Sequence, residues 1–226
     1  MSPGMGAEAT LPILTLTLRV ALSSTLLCLP VAVAIGYGLA RGGIPARSLV
    51  RALVSLPMVM PPVAVGLALL WCFGGASPLA PLWRALGLEL VFTPGAAVVA
   101  AAVVGFPLLV RSAEQSFAEI DPEYEEIART LGASRLATFT RVSLPLARRG
   151  LLYGSLLCFT RALGEFGATA VVAGIIPGRT ETLALGIWSR LQLGDDAGAA
   201  LLVAVSFGLA LASMLAAERW LGPARR

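Results

Sequence analysis

Long apolar runs alternate with short charged clusters along the chain. Val20–Ala40, Ala52–Trp83, Leu90–Val110 and Ala197–Ala217 contain no Asp, Glu, Lys or Arg, and Gly150–Gly178 is broken only by Arg161 and Glu165. Each run reaches the roughly 20 residues a helix needs to cross a hydrocarbon core of about 30 Å. The pattern predicts an all-α membrane protein with five spanning helices at about 18–40, 52–73, 91–110, 150–172 and 198–217, in a single transmembrane domain covering 1–226. No polar helices remain to cover such segments as the core of a water-soluble fold. The first run has 21 neutral residues, longer than a signal-peptide core of about 7–15, and no Lys or Arg precedes Arg19. It is read as a span although Ala32-Val33-Ala34 loosely resembles a cleavage site.

Composition sharpens this picture. Of 226 residues, 57% are hydrophobic and 13% charged, about half the charged share of a soluble domain. All 17 basic residues are Arg. Setting aside Arg19 and Arg161 at or within spans, twelve fall on one side of the predicted helices and three (Arg84, Arg179, Arg190) on the other. The positive-inside rule then puts the N-terminus outside and the C-terminus in the cytoplasm. The basic pI reflects this bias and gives no support to nucleic-acid binding. Cys28, Cys72 and Cys158 lie within predicted spans without paired spacing, and read as small core residues, neither disulfides nor metal ligands.

Absent residue types exclude functions. Without Lys there is no G-x-x-x-x-G-K nucleotide loop, and without His the commonest general base and the usual zinc motifs are missing. No G-x-S-x-G elbow occurs, and Glu165 is the only acid deep inside a span, so no carboxylate dyad can form. No catalytic or metal site is predicted. If the protein moves a solute with ATP, the ATPase is another chain. A self-sufficient secondary transporter is disfavoured by the odd span number and the lack of a detectable inverted repeat.

The connection 111–149 is the longest and most charged. Asp121-Pro122 opens a helix, with Glu123, Glu125 and Glu126 favouring its positive end. Tyr124, Ile127, Ala128 and Leu131 share one face, and Gly132 ends the helix. A second helical stretch, Ser134–Val142, leads to Leu144-Pro145, where the chain is expected to turn before re-entering the membrane. The apolar face suggests either a docking element or packing on the protein's own membrane helices.

Glu126-Ile127-Ala128, three residues, Gly132, nine residues, then Val142-Ser143-Leu144-Pro145 resembles the signature loop of binding-protein-dependent ABC importer permeases. That signature reads E-A-A, three residues, G, nine residues, I-x-L-P; Ile127 and Val142 are mild apolar departures. The resemblance implies a type I ABC importer permease fold in which Glu126, Ala128, Gly132, Leu144 and Pro145 belong to the loop that couples to the ATPase. Leu56-Pro57 through Pro61-Pro62 and Gly66, Gly105-Phe106-Pro107-Leu108, Arg161 through Thr169, and Ile176-Pro177-Gly178-Arg179-Thr180 are similar to molybdate permease subunits over roughly 15–220. Sulfate/thiosulfate permeases share much of the G-E-F-G-A stretch. The resemblance further implies a homodimer in the bacterial inner membrane, surrounded by lipid. Two cytoplasmic ATPase subunits would carry ATP and Mg, this chain no cofactor, and an external binding protein would deliver molybdate or tungstate.

Arg161 lies about 18 Å along a helix from Arg149, near mid-membrane, where a lone Arg costs at least about 2.5–3.5 kcal/mol. It needs a partner, and Glu165, four residues on, can reach it. The pair either fixes the packing or gate, or lets Arg161 attract a passing oxyanion. Gly164 and Gly167 are expected to permit close helix approach, with a bend as the alternative role. Thr180–Leu193 reads as a short helix outside the membrane, either plugging the mouth or receiving the binding protein.

Overall fold

The computed structural model describes residues 5–87 and 89–221. Among these residues every regular element is helical. The longest are α1 (Met5–Arg41), α5 (Pro94–Ala118) and α11 (Asp196–Leu221). Within them Thr10–Arg41, Pro94–Ala118 and Asp196–Ala216 are long and apolar enough to cross a membrane.

The core is built on α5. Its Ala96, Ala97, Ala100 and Ala101 are buried against Val20 and Ala21 of α1 and against Ala168 and Val172. Lipid supplies no hydrophobic drive between helices, so small side chains that let backbones approach hold the bundle together. Hydroxyls in α1 are satisfied locally: Thr17 donates to Ile13 O (2.8 Å), Ser24 to Ala21 O (3.0 Å) and Thr25 to Ala21 O (2.8 Å). Thr17 Oγ1 also accepts from Leu183 N (2.9 Å), anchoring the start of α10 (Leu183–Gln192), the short helix anticipated within 180–193.

The second predicted span is not one helix. α2 (Arg47–Val59) and α3 (Pro62–Phe73) meet at 110°. Met60 is extended (φ −68°, ψ 145°) because Pro61 disfavours a helical conformation in the residue before it, and Pro62 has no N–H to continue the ladder. Counted as one bent span, the pair is a fourth crossing. α4 (Ala80–Ala85) follows it.

The fourth predicted span, 150–172, is also broken. α8 (Leu144–Leu163) stops at Gly164, and α9 (Gly167–Val172) restarts three residues later. The break is stabilised by Glu165, whose Oε1 accepts from Ala168 N at 2.9 Å and so caps α9. Among the described helices α8 is not apolar enough to count as a span by composition, since Arg148, Arg149 and Arg161 interrupt it.

The loop expected at 111–149 contracts to 119–134. α5 runs eight residues beyond its predicted end, and Glu114 there pairs with Arg51 Nη2 at 2.6 Å. After α6 (Pro122–Thr130), α7 (Arg135–Thr138) passes through a π-helical turn, Phe139–Ser143, directly into α8. The turn expected at Leu144-Pro145 does not exist. Widening the helix lets Leu144 N donate to Phe139 O, five residues back, which accommodates a proline that cannot donate. Cys28 and Cys158 are buried, as expected, whereas Cys72 is exposed and is not a core residue.

Candidate functional site

The first candidate is α6. Asp121 caps it by accepting from Glu123 N (3.0 Å), and Pro122 occupies its first turn. Its far end closes on Gly132, at φ +87°, whose N–H donates to Arg129 O (3.0 Å) while Ala133 N donates to Ala128 O (3.0 Å). A Cβ on Gly132 would meet nothing within 4 Å. Backbone conformation alone therefore demands glycine there.

One residue holds α6 to the bundle, and the loop signature does not contain it. Glu125, 3% exposed, accepts from Arg41 Nε (3.0 Å), Ser143 Oγ (2.7 Å) and Tyr37 OH (3.3 Å). Arg41 Nη2 also donates to Ile120 O (3.1 Å). Around this network Tyr37 packs edge-on against Phe117 and Phe139, with ring centroids 5.2 and 5.0 Å away. α6 is thus fastened to the last turn of α1 and to the π-helical turn. Glu126, the signature residue, is exposed. Leu144 packs beside the cluster of Ala113, Phe117 and Ile120, and Pro145 is exposed at the start of α8.

The apolar face of α6 does not pack on the protein's own helices. Tyr124 is 57% exposed, Ile127 49% and Leu131 82%, with Leu136 of α7 at 71%. Ala128 lies half-buried between them. The loop therefore presents an unpartnered apolar ridge on a helix fastened to the bundle through Glu125.

The second candidate is the ion pair near the end of α8. Arg161 Nη1 lies 2.9 Å from Glu165 Oε2, with side chains 35% and 2% exposed. Glu165 thus divides its oxygens between the guanidinium and the α9 cap. Gly167 is buried beneath α3: a Cβ there would stand 2.7 Å from Pro62 Cβ. Gly66 of α3 returns the contact, since its Cβ would lie 2.7 Å from Ala168 O. Gly164 differs from the expectation of close approach and takes the alternative role, at a bend. It is exposed, and nothing lies within 4 Å of where its Cβ would be, so no helix of this chain approaches it; its place is the break after α8.

A double-mutant cycle on this pair is expected to show coupling of about 0.5–3 kcal/mol in thermal stability. Arg161→Ala and Glu165→Ala should each lower folded yield by stranding one charge, and the double variant should recover much of it. Independent effects on stability would refute the structural pairing. A mild Glu165→Ala and a transport-dead, well-folded Arg161→Ala would instead assign Arg161 to the anion path.

The described residues form an all-helical bundle in which three helices are long and apolar enough to cross a membrane, and it carries an exposed apolar ridge on α6. Residues 30–226 match the family described as binding-protein-dependent transport system inner membrane component, and the chain belongs to that family. It is 38% identical over 208 residues to the molybdenum transport system permease protein ModB of Escherichia coli (strain K12), covering 91% of this chain and 90% of that protein. It is 36% identical over 195 residues to the sulfate transport system permease protein CysW of Synechocystis sp., covering 85% and 71%. In fold it is similar to a chain of the MetNI methionine ABC transporter in inward-facing conformations, with a TM-score of 0.69 over 100% of both chains at 20% identity. The protein is a multi-pass inner-membrane permease subunit with the type I ABC importer fold, and its family works with binding-protein partners.

Proposed function

We propose that the chain forms, as a homodimer, the membrane path of an ATP-driven molybdate importer. Two cytoplasmic ATPase subunits would hold ATP and Mg, and an extracytoplasmic binding protein would deliver molybdate or tungstate. The observation that carries the coupling part of this reading is the α6 ridge: a helix with Tyr124, Ile127 and Leu131 exposed, tied to α1 by the buried Glu125–Arg41 pair. An apolar face with no intramolecular partner, on an element that cannot swing freely, suits transmission of movement from a docked subunit. Glu126, Ala128, Gly132, Leu144 and Pro145 form the docking segment or its mounting. Arg161, Gly164, Glu165 and Gly167 form part of the translocation pathway or its gate around the α8–α9 break.

The positive-inside bias supports an α6 end in the cytoplasm and an outer N-terminus. Exposed apolar side chains on α2 (Leu49, Leu53, Leu56) and α11 (Phe207, Leu211, Leu215) suit lipid or the second copy. Molybdate is favoured by 38% identity over 90% of ModB; the sulfate reading rests on CysW, matched at 36% over 71% of its length.

Reconstitution of the chain with its candidate ATPase in proteoliposomes tests this reading. ATP hydrolysis should rise when binding protein loaded with molybdate or tungstate is supplied on the membrane face opposite α6, with ATP on the α6 side. Stimulation by sulfate-loaded binding protein alone would transfer the assignment to sulfate. Stimulation requiring both components on the same face would overturn the orientation.

A further inference from the structure

The face of α6 turned toward the bundle borders a cavity of about 500 Å³, within the roughly 300–1,000 Å³ range of small-molecule sites. Arg41, Glu125, Arg129, Arg135 and Thr138 line it. Its charge is unbalanced. Glu125 is committed to Arg41 at 3.0 Å, while Arg129 and Arg135 have no carboxylate partner among the described residues. Arg129 spends only its Nε, on Glu125 O at 3.2 Å. Thr138 is 3% exposed, and its Oγ1 has no hydrogen-bond partner. A buried hydroxyl without a partner is costly, and Arg129 and Arg135, both exposed, hold guanidinium donors beside it that no carboxylate occupies.

We infer that this cavity is a binding site for a tetrahedral oxyanion, held by Arg129, Arg135 and the Thr138 hydroxyl. Guanidinium forks match such oxygens in pairs, and a hydroxyl donor completes a polar cradle. The site is separate from the exposed ridge of α6. At roughly 100° per residue, Glu125 and Arg129 are turned away from Tyr124, Ile127 and Leu131 by roughly 100–160°. A docked subunit on the ridge would leave the cavity in place behind it. An anion bridging Arg129 of α6 and Arg135 of α7 would brace the helix from the rear. That consequence for coupling rests on the proposed function; the binding itself does not.

The test is equilibrium dialysis of the full purified chain in neutral detergent against radiolabelled inorganic phosphate, with sulfate and molybdate as competitors. Saturable binding is expected, weakened about tenfold or more by Arg135→Gln and about fivefold by Thr138→Val, with Arg84→Gln unchanged. Thr138→Val should also raise the melting temperature measured without anion, because it removes an unsatisfied buried hydroxyl. A purely structural threonine would not give that opposition of stability and affinity. Absence of saturable binding at millimolar phosphate, or binding by both site variants equal to that of the parent, overturns the site.

The source of the anion is read in phosphatidylcholine nanodiscs with and without phosphatidate. Phosphate binding abolished by phosphatidate supports the site and identifies a lipid headgroup, whereas unchanged binding supports it with a free ion. A chain that couples to its ATPase but binds no phosphate would overturn this site alone. One that binds phosphate but never responds to molybdate-loaded binding protein would overturn the transport reading alone.

Discussion

Glu125→Ala is expected to lower folded stability by about 3–5 kcal/mol, the cost of breaking a buried ion pair from one side. The change leaves Arg41, with a side chain only 17% exposed, facing a site without its carboxylate, and removes the acceptor of Ser143 and Tyr37. Arg41→Leu combined with Glu125→Ala should recover part of the loss, since neither charge is then stranded. Glu126→Ala, one residue along on the exposed side, should change stability little. Thermal unfolding of the purified chain in detergent measures all of these. A loss below about 1 kcal/mol for Glu125→Ala, the value of a surface pair, would show that the network does not mount α6.

Gly132→Pro is expected to reduce uptake to background while the chain still inserts at normal levels. Proline is locked near φ −65° and cannot adopt +87°, and it lacks the N–H that donates to Arg129 O. The bend after α6 would be lost, and with it the direction of the apolar ridge. Ala128→Arg should uncouple in a different way, by placing a long charged side chain between Tyr124, Ile127 and Leu131. Uptake and binding-protein-stimulated ATP hydrolysis, measured beside the amount of folded permease, test both. Full retention of both activities in either variant would rule out this loop as the energetic link.

The class of fold was legible because its signals are local. Charge-free runs long enough to span lipid, and an Asp-Pro opening followed by helical spacing up to Gly132, can be read within windows of about twenty residues. The Arg161–Glu165 pair was legible for the same reason: residues four apart on a helix must be neighbours. Gly132 was correctly read as the end of the helix, and φ +87° supplies the reason.

The errors have physical sources. Hydropathy cannot register that a carboxylate will cap a helix restart, so 150–172 looked continuous, although Glu165 separates α8 from α9. It is equally blind to a 110° corner within an unbroken apolar run, although Pro61-Pro62 marked the place. Helices also do not stop where the hydrocarbon does, so α5 took up 111–118 of the predicted loop, and α7 with the π-helical turn and α8 took up 135–149.

By itself, the sequence determined a lipid-embedded helical protein with a short amphipathic helix in its main charged loop, because these follow from composition and from spacing along one segment. Only the tertiary structure decided that Glu125, not Glu126, carries that helix. Its partner Arg41 lies 84 positions away, and no pattern along a single segment encodes a contact between the end of one helix and the side of another. The same holds for Gly164 and Gly167, identical in sequence terms and only three residues apart. One stands exposed and the other lies under Pro62, because the α8–α9 break turns α9 onto α3 and leaves Gly164 itself outside.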